Sequence, residues 1–219
     1  MRRVWVVCAA LLGACAHDNT PHSSVTIIDD VTVLDGRGGA ALPSRSVHID
    51  GGTIIKIAPA GTRKPRGAKV IDGTGGYLLP GFIDLHSHLL VPRCNREGAA
   101  RFDRSLSERM LSQQLAFGVT FIRSPGNPTE DGLRLRDDLN AKRVRGPSAL
   151  ASAEIINDWK WSDEQLRNHV AEAMPHRPDY FKVYAALSPQ QIKTVIDAAH
   201  ARGVPVIGHL QETSWHEAA

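Results

Sequence analysis

From Phe82 onward, the sequence alternates between short β-branched segments and longer amphipathic helical segments. This alternation is typical of βα units, in which helices cover a parallel sheet. Five strand segments precede the end of the sequence: FIDLHSH (82–88), VTFIRS (119–124), PSALASAEII (147–156), YFKVYA (180–185) and VPVIGH (204–209). The pattern therefore predicts an α/β fold with about five βα units.

Local signals mark where the intervening helices begin and end. Two Ser-x-x-Gln pairs, Ser162 with Gln165 and Ser188 with Gln191, have the spacing of a capping box. Gly118 is placed to end the first helix. The predicted helices are an amphipathic segment at 105–117, a segment around 131–141, a helix that begins at 162 and one at 188–202.

The last residues show another Ser-x-x-Glu pair, Ser214 with Glu217, so a further helix is expected to start just before Ala219. A parallel TIM (β/α)8 barrel closes with eight strands. We therefore expect 82–219 to form an incomplete barrel, and the chain to be the N-terminal fragment of a longer protein.

Residues 25–81 have a different pattern, with three β-branched runs punctuated by Gly, Asp and Pro. Such runs are typical of strands joined by tight turns. This segment is predicted to form a small β-sandwich unit in front of the barrel. A polar tether at 16–24 connects it to the N-terminal leader.

Residues 1–15 have the pattern of an export signal, with Arg2 and Arg3 before the uncharged run Val4–Ala14. That run is too short to span a bilayer. It ends in Leu-Gly-Ala before Cys15, which resembles a bacterial lipobox; an ordinary secretory peptide is the alternative. Lipid on Cys15 would anchor the chain to a membrane, and Ala16 favours the outer membrane, with the protein facing the periplasm.

Charge and cysteine content narrow the remaining classes. Without Arg2 and Arg3, 24 basic and 23 acidic side chains remain, so we expect no nucleic-acid partner. With Cys8 removed and Cys15 lipidated, only Cys94 is left, which rules out an internal disulfide. No basic partner at a recognisable spacing supports Cys94 as a nucleophile.

The first predicted barrel strand ends in a His-x-His pair. Residues two apart on a strand point to the same side, so His86 and His88 are predicted to project together, with Ser87 opposite. Two imidazoles on one face can share a metal ion. The C-terminal ends of barrel strands carry the chemistry of such enzymes, so this position favours a metal site.

Three segments resemble one known family. IDGTGGYLLPGFIDLHSH (71–88) resembles the segment that opens the barrel in the amidohydrolase superfamily, and GVTFIRSPG (118–126) is similar to the second strand of imidazolonepropionase- and prolidase-like members. DYFKVYAALSPQQIKTVIDAAHARGVPVIGHL (179–210) resembles their fourth and fifth units. Ser124 departs from the family, which commonly has Asp after the second-strand Arg.

The resemblance implies a metal centre with two divalent ions, for which zinc suits the ligands. It makes His86 and His88 ligands of the more buried metal and His209 a ligand of the second. Lys182 would be carboxylated and bridge both metals; a lysine that snorkels from a strand end is the alternative. A metal-bound hydroxide would attack an amide or dipeptide carbonyl, using a histidine and a general base from strands beyond Ala219.

Other candidates have less support. Asn157, Trp159 and Trp161 follow the third strand and are expected to contact a small-molecule substrate, while Asp84 is expected to orient its strand. The remaining histidines are interpreted as structural or surface residues, or lie in the terminal tail: His17, His22, His48, His169, His176, His200 and His216.

The sequence leaves several functions open. The first is a hydrolase of cyclic amides or dipeptides, inactive as the present chain alone. The others are a mononuclear deaminase, which needs no lysine bridge, and a lipid-anchored remnant without activity. Homo-oligomerisation is also compatible with the sequence.

Overall fold

We describe the protein from a computed structural model, which describes residues 24–89, 92–94 and 100–218. The chain separates into two compact units, with the boundary between Pro80 and Gly81. The predicted leader, the lipidation site Cys15 and two histidines, His17 and His22, lie outside the described residues. No described helix has the length and apolar composition needed to cross a membrane.

The first unit is one five-stranded mixed sheet. Its strands are β1 (Thr26–Val33), β2 (Leu42–Asp50), β3 (Thr53–Pro59), β4 (Lys69–Asp72) and β5 (Tyr77–Leu78). β1 pairs antiparallel with β2, and parallel with both β4 and β5. The hairpin from β2 to β3 turns through Gly51 and Gly52, whose φ values of 54° and 80° suit residues without a Cβ.

The predicted sandwich is wrong for this unit, because the described residues contain one sheet and no second sheet packed against it. Its small apolar core includes Val31, Val33 and Val47. Several large apolar side chains of the sheet remain exposed, because the other residues of this unit cover only part of the sheet surface. They are Ile54, Ile55, Ile57, Val70, Ile71 and Tyr77.

The second unit alternates strands and helices. Its strands are β6 (Phe82–Asp84), β7 (Pro92–Cys94), β8 (Ala100–Phe102), β9 (Val119–Ser124), β10 (Ser148–Ala151), β11 (Phe181–Val183) and β12 (Val206–Gly208). Its helices are α1 (Arg104–Ala116), α2 (Thr129–Asn140), α3 (Asp163–Ala173), α4 (Pro189–His200) and α5 (Trp215–Ala218), with a 3₁₀ turn at Met174–His176. β7 and β8, which lie between β6 and α1 in the chain, pair antiparallel with each other.

The other five strands of this unit are parallel and lie in chain order. β6, β9 and β10 form one sheet, and β11 and β12 form another. Parallel bridges from Ser152 to Tyr180 and from Ile156 to Val183 connect the two sheets. The predicted α/β class and the order of five βα units are therefore observed.

Two apolar clusters join the strands to the helices. Phe181 and Val183 of β11 pack with residues of α3 and α4, such as Leu166 and Val195. Ile122 of β9 belongs to a second cluster that includes residues of α1 and α2. Because successive strand residues point to opposite faces, the residues between these apolar ones point away from the helices.

The helix boundaries follow the predicted capping signals. Both Ser-x-x-Gln pairs form complete capping boxes, at the start of α3 and of α4. Ser214 and Glu217 are linked in the same way before α5. The strands are shorter than predicted: β6 ends at Asp84 instead of 88, and β10 ends at Ala151 instead of 156. Beyond Ala151 only isolated bridges continue the pairing, because the ladder there is no longer regular.

Candidate functional site

The His-x-His pair lies in the loop after β6 and not on the strand. Both imidazoles are exposed, and their ring centroids are 5.6 Å apart in an edge-on arrangement. Ser87 between them is buried. The structure therefore keeps the predicted sidedness of His86 and His88, although the loop and not a regular strand provides it.

Hydrogen bonds from β6 and β9 hold this loop in place. The Asp84 carboxylate accepts from the backbone N–H of His86 at 3.0 Å, in agreement with its expected orienting role. Arg123 contributes twice, since its Nε donates to the carbonyl of Leu85 at 2.9 Å and its carbonyl accepts from the N–H of Ser87 at 3.1 Å. The Ser87 hydroxyl in turn accepts from Gln114 Nε2 of α1 at 2.9 Å.

Ser124 fixes the other end of the loop. Its Oγ accepts from the N–H of Leu89 and donates to Asn127 Oδ1, both at 2.8 Å. Asn127 Nδ2 then donates to the carbonyls of Ser124 and Ser152, each at 3.0 Å. Ser124 and Asn127 are both buried. The residue that departs from the family pattern therefore still makes a local contact with the metal-motif loop.

Lys182 occupies the middle of β11 and is only 5% exposed. Its side chain points away from the α3/α4 cluster, and its Nζ lies 5.8 Å from the centroid of the Tyr184 ring. Burial lowers the pKa of this amine, and the positive charge of Arg123 lowers it further. A lysine with a lowered pKa has a larger neutral, nucleophilic fraction at neutral pH.

His209 comes directly after β12, the strand that pairs with β11. Its N–H donates to the carbonyl of Val183 at 3.2 Å, and its ring meets the Tyr184 ring edge-on with centroids 4.6 Å apart. Tyr184 therefore contacts both Lys182 and His209. The structure brings these two predicted ligands to adjacent strands around one aromatic ring.

The charge of Lys182 also affects the pKa of His86. Partial desolvation lowers the pKa of His86, and the charges of His88, Lys182 and Arg123 lower it further, whereas Asp84 opposes them. A lowered pKa favours the neutral imidazole, which is the form that binds metals. The loop after β6 and the middle of β11 thus influence each other electrostatically.

The three predicted substrate residues have different environments. Asn157 is exposed, and its Oδ1 accepts from the N–H of Ala186 at 3.1 Å. Trp159 is 63% exposed, with Lys160 Nζ 5.3 Å from its ring centroid. Trp161 instead packs against the α3/α4 core, and its ring centroid lies 5.0 Å from that of His169. A substrate role for these three residues stays a prediction, and packing accounts for Trp161.

The other histidines are distributed over both units. His48 is buried in the first unit, where its Nε2 lies 3.3 Å from Ser46 Oγ. His169 is partly buried on α3, and its Nε2 is inaccessible to solvent and has no hydrogen-bond partner among the described residues. His176, His200 and His216 are exposed. Cys94 lies on β7, where only the backbone is described.

Two residues of this region are absent from the sequence-based site. Arg123 reaches the histidine loop, and its Cζ lies 6.0 Å from the centroid of the Tyr180 ring. Tyr180 is 3% exposed, and its hydroxyl has no hydrogen-bond partner among the described residues. Alternation along YFKVYA is the sequence signal that could have identified Tyr180, because it places Tyr180 and Tyr184 on the same face as Lys182.

The solved structures whose fold is similar to that of this chain are amidohydrolase TIM-barrel proteins. A Xaa-Pro dipeptidase with bound methionine superposes with a TM-score of 0.68, with 20% identity over 85% of this chain and 57% of that one. Molinate hydrolase gives a TM-score of 0.72, with 18% identity over 87% of this chain and 54% of that one. Similarity at this level of identity shows the fold.

Sequence comparison finds that the chain is similar to amidohydrolases. An adenine deaminase of Chelativorans sp. is 26% identical over 84% of this chain and 32% of its own length. An imidazolonepropionase of Stenotrophomonas maltophilia is 25% identical over 90% of this chain and 59% of its own length. A dihydroorotase of Thermoanaerobacter sp. is 46% identical over 30% of this chain and 14% of its length. No protein-family profile matches the chain.

These similarities to amidohydrolases confirm the predicted resemblance. The relatives of the chain are hydrolases that act on carbon–nitrogen bonds. The chain spans between about a third and three fifths of the length of the first two relatives described.

Proposed function

We propose that the complete protein is a metal-dependent hydrolase that cleaves a carbon–nitrogen bond of a small amide or dipeptide. The observation that carries the proposal is the placement of His86 and His88, 5.6 Å apart, in the loop after the first parallel strand. Buried Lys182 lies in the fourth parallel strand of the same unit, and exposed His209 directly follows the fifth. The five parallel strands support an eight-stranded barrel, of which this unit would be part.

The donor set fits part of a metal shell. Imidazole nitrogens suit zinc and related divalent ions, and a lysine carbamate would add oxygen ligands. Within the described residues, no group of three His, Cys, Asp or Glu side chains is arranged to hold an ion. His86 and His88 would hold one metal, His209 would contribute to a second, and a carboxylated Lys182 would provide ligands to both.

The residues of this chain would act mainly by positioning. A divalent metal bound there would polarise a carbonyl oxygen and lower the pKa of the water bound to it to about 7. Asp84 and Arg123 fix the backbone of the histidine loop, so that the two imidazoles keep their separation. Burial and the Arg123 charge favour the neutral Lys182 amine, which is the form that can accept carbon dioxide.

Metal titration of the full chain tests the site. We expect His86→Asn and His88→Asn each to weaken binding of Zn²⁺ or Co²⁺ by at least about tenfold, because loss of one imidazole removes a ligand. The matched control is His200→Asn, an exposed histidine on α4. Equal metal affinity for all three variants and the parent chain would contradict the assignment.

Hydrolysis is tested on the chain and on any longer product of its gene. Dipeptides with C-terminal proline follow from the dipeptidase and prolidase neighbours, and imidazolone-type cyclic amides follow from the imidazolonepropionase relative. We propose that residues 16–219 alone lack turnover, since the expected general base is not among them. Metal-dependent amide hydrolysis by residues 16–219 would contradict this part of the proposal.

A mononuclear deaminase is the second candidate, because the adenine deaminase match covers 84% of this chain. The two candidates differ in metal content. Two metals per chain, together with a carboxylated Lys182, support the amide hydrolase. One metal, with release of ammonia from adenine, supports the deaminase.

We also propose that the protein is exported and anchored to the outer membrane by lipid on Cys15. The support is the leader composition alone, with two arginines before an uncharged run that ends at this cysteine. A lipid anchor would place the hydrolase at a membrane surface without a spanning helix.

A further inference from the structure

Gln191, in the first turn of α4, makes hydrogen bonds with both ends of its side-chain amide. Its Oε1 accepts from the N–H of Ser188 at 3.0 Å, which is one half of the α4 capping box. Its Nε2 donates to the carbonyls of Trp159 and Trp161, each at 3.0 Å. Because an N–H only donates and a carbonyl only accepts, these partners fix the orientation of the amide. Gln191 therefore caps its own helix and also holds a distant segment of the chain.

The capping box of α3 shows that the second role of Gln191 is additional to capping. Gln165 has the equivalent position there, and its Oε1 accepts from the N–H of Ser162 at 2.8 Å. Within the described residues, its Nε2 makes no hydrogen bond. A capping box needs only the side-chain oxygen, which glutamate provides equally well. The two donations by Gln191 thus need a reason other than the start of α4.

The two tryptophans lie in the segment 157–161 between β10 and α3, which we call the tryptophan loop. Its first residue, Asn157, accepts a hydrogen bond from the N–H of Ala186, in the loop after β11, at 3.1 Å. Its last residue, Trp161, packs against the α3/α4 core. The tryptophan loop is therefore attached at both ends, and Trp159 lies between the two attachments.

The tryptophan loop begins beside the strand that carries Lys182. The N–H of Ile156 donates to the Lys182 carbonyl, and the Ile156 carbonyl accepts from the N–H of Tyr184, both at 2.9 Å. The loop starts one residue later, at the C-terminal end of the parallel strands. Barrel enzymes bind their substrates at this end.

The side chain of Trp159 is exposed although its backbone is held. It is 63% exposed, while its carbonyl accepts from Gln191. The face of an indole ring can stack on another planar ring. The Nζ of Lys160 lies 5.3 Å from the ring centroid, so a positive charge is already next to the indole and would repel a second cation. Trp159 is thus suited to contact a planar ring that is neutral or anionic.

We propose that Gln191 is a positioning residue that holds Trp159, so that the indole stacks on a neutral or anionic planar ring of the substrate. A loop that is fixed before binding loses less conformational freedom when the ligand arrives, and affinity increases accordingly. This inference rests on the proposed hydrolase function and adds to it the chemistry of one end of the substrate.

Three small probes test the contact with Trp159 in the metal-free full chain. Benzamide is a neutral planar amide, benzamidine is a cation of the same shape, and acetamide lacks the ring. Ligand-detected NMR measures their binding, and we expect the parent chain to bind benzamide more tightly than the other two. Trp159→Ala should weaken benzamide binding about three- to tenfold, the range that loss of one aromatic pair implies. The matched control is Trp215→Ala, an exposed tryptophan on α5, which should not change the affinity.

Gln191→Glu separates the two roles of Gln191. Glutamate keeps the capping oxygen of α4 but cannot donate to the carbonyls of the tryptophan loop. We expect it to weaken benzamide binding about threefold or more, while the chain stays folded by circular dichroism. Gln165→Glu makes the same change in the α3 capping box and should have no effect on binding. In a Trp159→Ala background, Gln191→Glu should cause no further loss, a coupling that a general loss of stability would not produce.

Exchange of the side-chain amide protons tests the same hydrogen bonds without any substitution. Both Nε2 protons of Gln191 are bonded to carbonyls, so they should exchange with solvent at least about fivefold more slowly than those of Gln190, its exposed neighbour. This measurement covers the case in which Gln191→Glu does not fold. Equal exchange of the two side chains would overturn the role of Gln191.

The proposal is also overturned if the parent chain does not bind benzamide, or if it binds benzamide no more tightly than Trp159→Ala does. Equal affinities of Gln191→Glu and Gln165→Glu would overturn it as well, and equal binding of benzamidine and benzamide would overturn the preference for an uncharged ring. None of these measurements needs a metal ion. Failure of the metal titration of His86 and His88 would therefore remove the hydrolase assignment and leave the ring contact standing, and the reverse also holds.

Discussion

The hydroxyl of Ser124, at the end of β9, accepts a hydrogen bond from the backbone N–H of Leu89 at 2.8 Å. This contact closes the C-terminal end of the loop that carries His86 and His88. Arg123 and Gln114 hold the middle of the same loop through Leu85 and Ser87. The histidine pair is therefore positioned by the second βα unit as much as by its own strand.

Ser124→Ala removes the acceptor of a buried N–H and the donor to Asn127. We expect a loss of about 1–3 kcal/mol in the free energy of unfolding, because both partners stay buried and unpaired. Urea denaturation measures the change, and metal affinity should fall with it. Ser105→Ala is the control, since this exposed serine on α1 should change stability by less than about 0.5 kcal/mol. Equal effects of the two substitutions would show that the Leu89 contact does not stabilise the loop.

Arg136→Met tests the ion pair that joins α2 to the start of β11. Arg136 is 4% exposed, its Nη1 lies 2.5 Å from Asp179 Oδ2, and Asp179 also accepts from the N–H of Ala151 at 2.8 Å. The Asp179 side chain that stays behind is 26% exposed, so its unpaired charge is partly solvated, and we expect about 1–3 kcal/mol of destabilisation by urea unfolding.

Arg134→Met on the same helix provides the comparison, because its ion pair with Glu130 is exposed and should contribute at most about 1 kcal/mol. Adding Asp179→Asn to Arg136→Met should recover part of the stability, since the unpaired carboxylate is then neutral. The ion pair would have no stabilising role if Arg136→Met were as mild as Arg134→Met.

The lowered pKa of His169 predicts that acid destabilises the second unit. Burial lowers the pKa of this imidazole, with the Glu154 and Glu172 charges acting in the opposite direction. The folded state therefore binds fewer protons than the unfolded state between the lowered pKa and 6.5, and stability should fall as the pH decreases through that window.

The free energy of unfolding, measured by urea denaturation from pH 7.5 to 5, checks this effect. In His169→Phe, which can still stack on Trp161, the decrease should be smaller than in the parent chain. His200→Phe on α4 is the control, because this exposed histidine should leave the pH dependence unchanged. An identical pH profile for His169→Phe and the parent would contradict the role of His169.

The proposed lipid anchor on Cys15 predicts that the protein attaches to a membrane. We expect the parent protein to sediment with outer-membrane vesicles and to release a diacylglyceryl-modified N-terminal peptide in mass spectrometry. Cys15→Ser should move the protein to the soluble fraction, whereas Cys94→Ser should not. If the mature N-terminus lies elsewhere and carries no lipid, the ordinary secretory signal is the correct interpretation.

The sequence by itself determined the order of elements in the second unit. Hydrophobic periodicity gave the five βα units, and the Ser162 and Ser188 capping boxes placed the starts of α3 and α4, because these signals act over a few neighbouring residues. The motif at 71–88 predicted the resemblance to amidohydrolases for the same reason. Strand ends were less accurate, since ladder hydrogen bonds depend on residues far away in the chain.

Only the tertiary structure decided the environment of the site. The packing of Trp161 on His169, the single sheet of the first unit and the shortness of β6 depend on contacts between distant segments. The same holds for Arg123, which the sequence shows as an ordinary strand residue. The register of β9 and the length of the side chain bring Arg123 to the Leu85 carbonyl and to the Tyr180 ring. No local sequence pattern encodes these contacts.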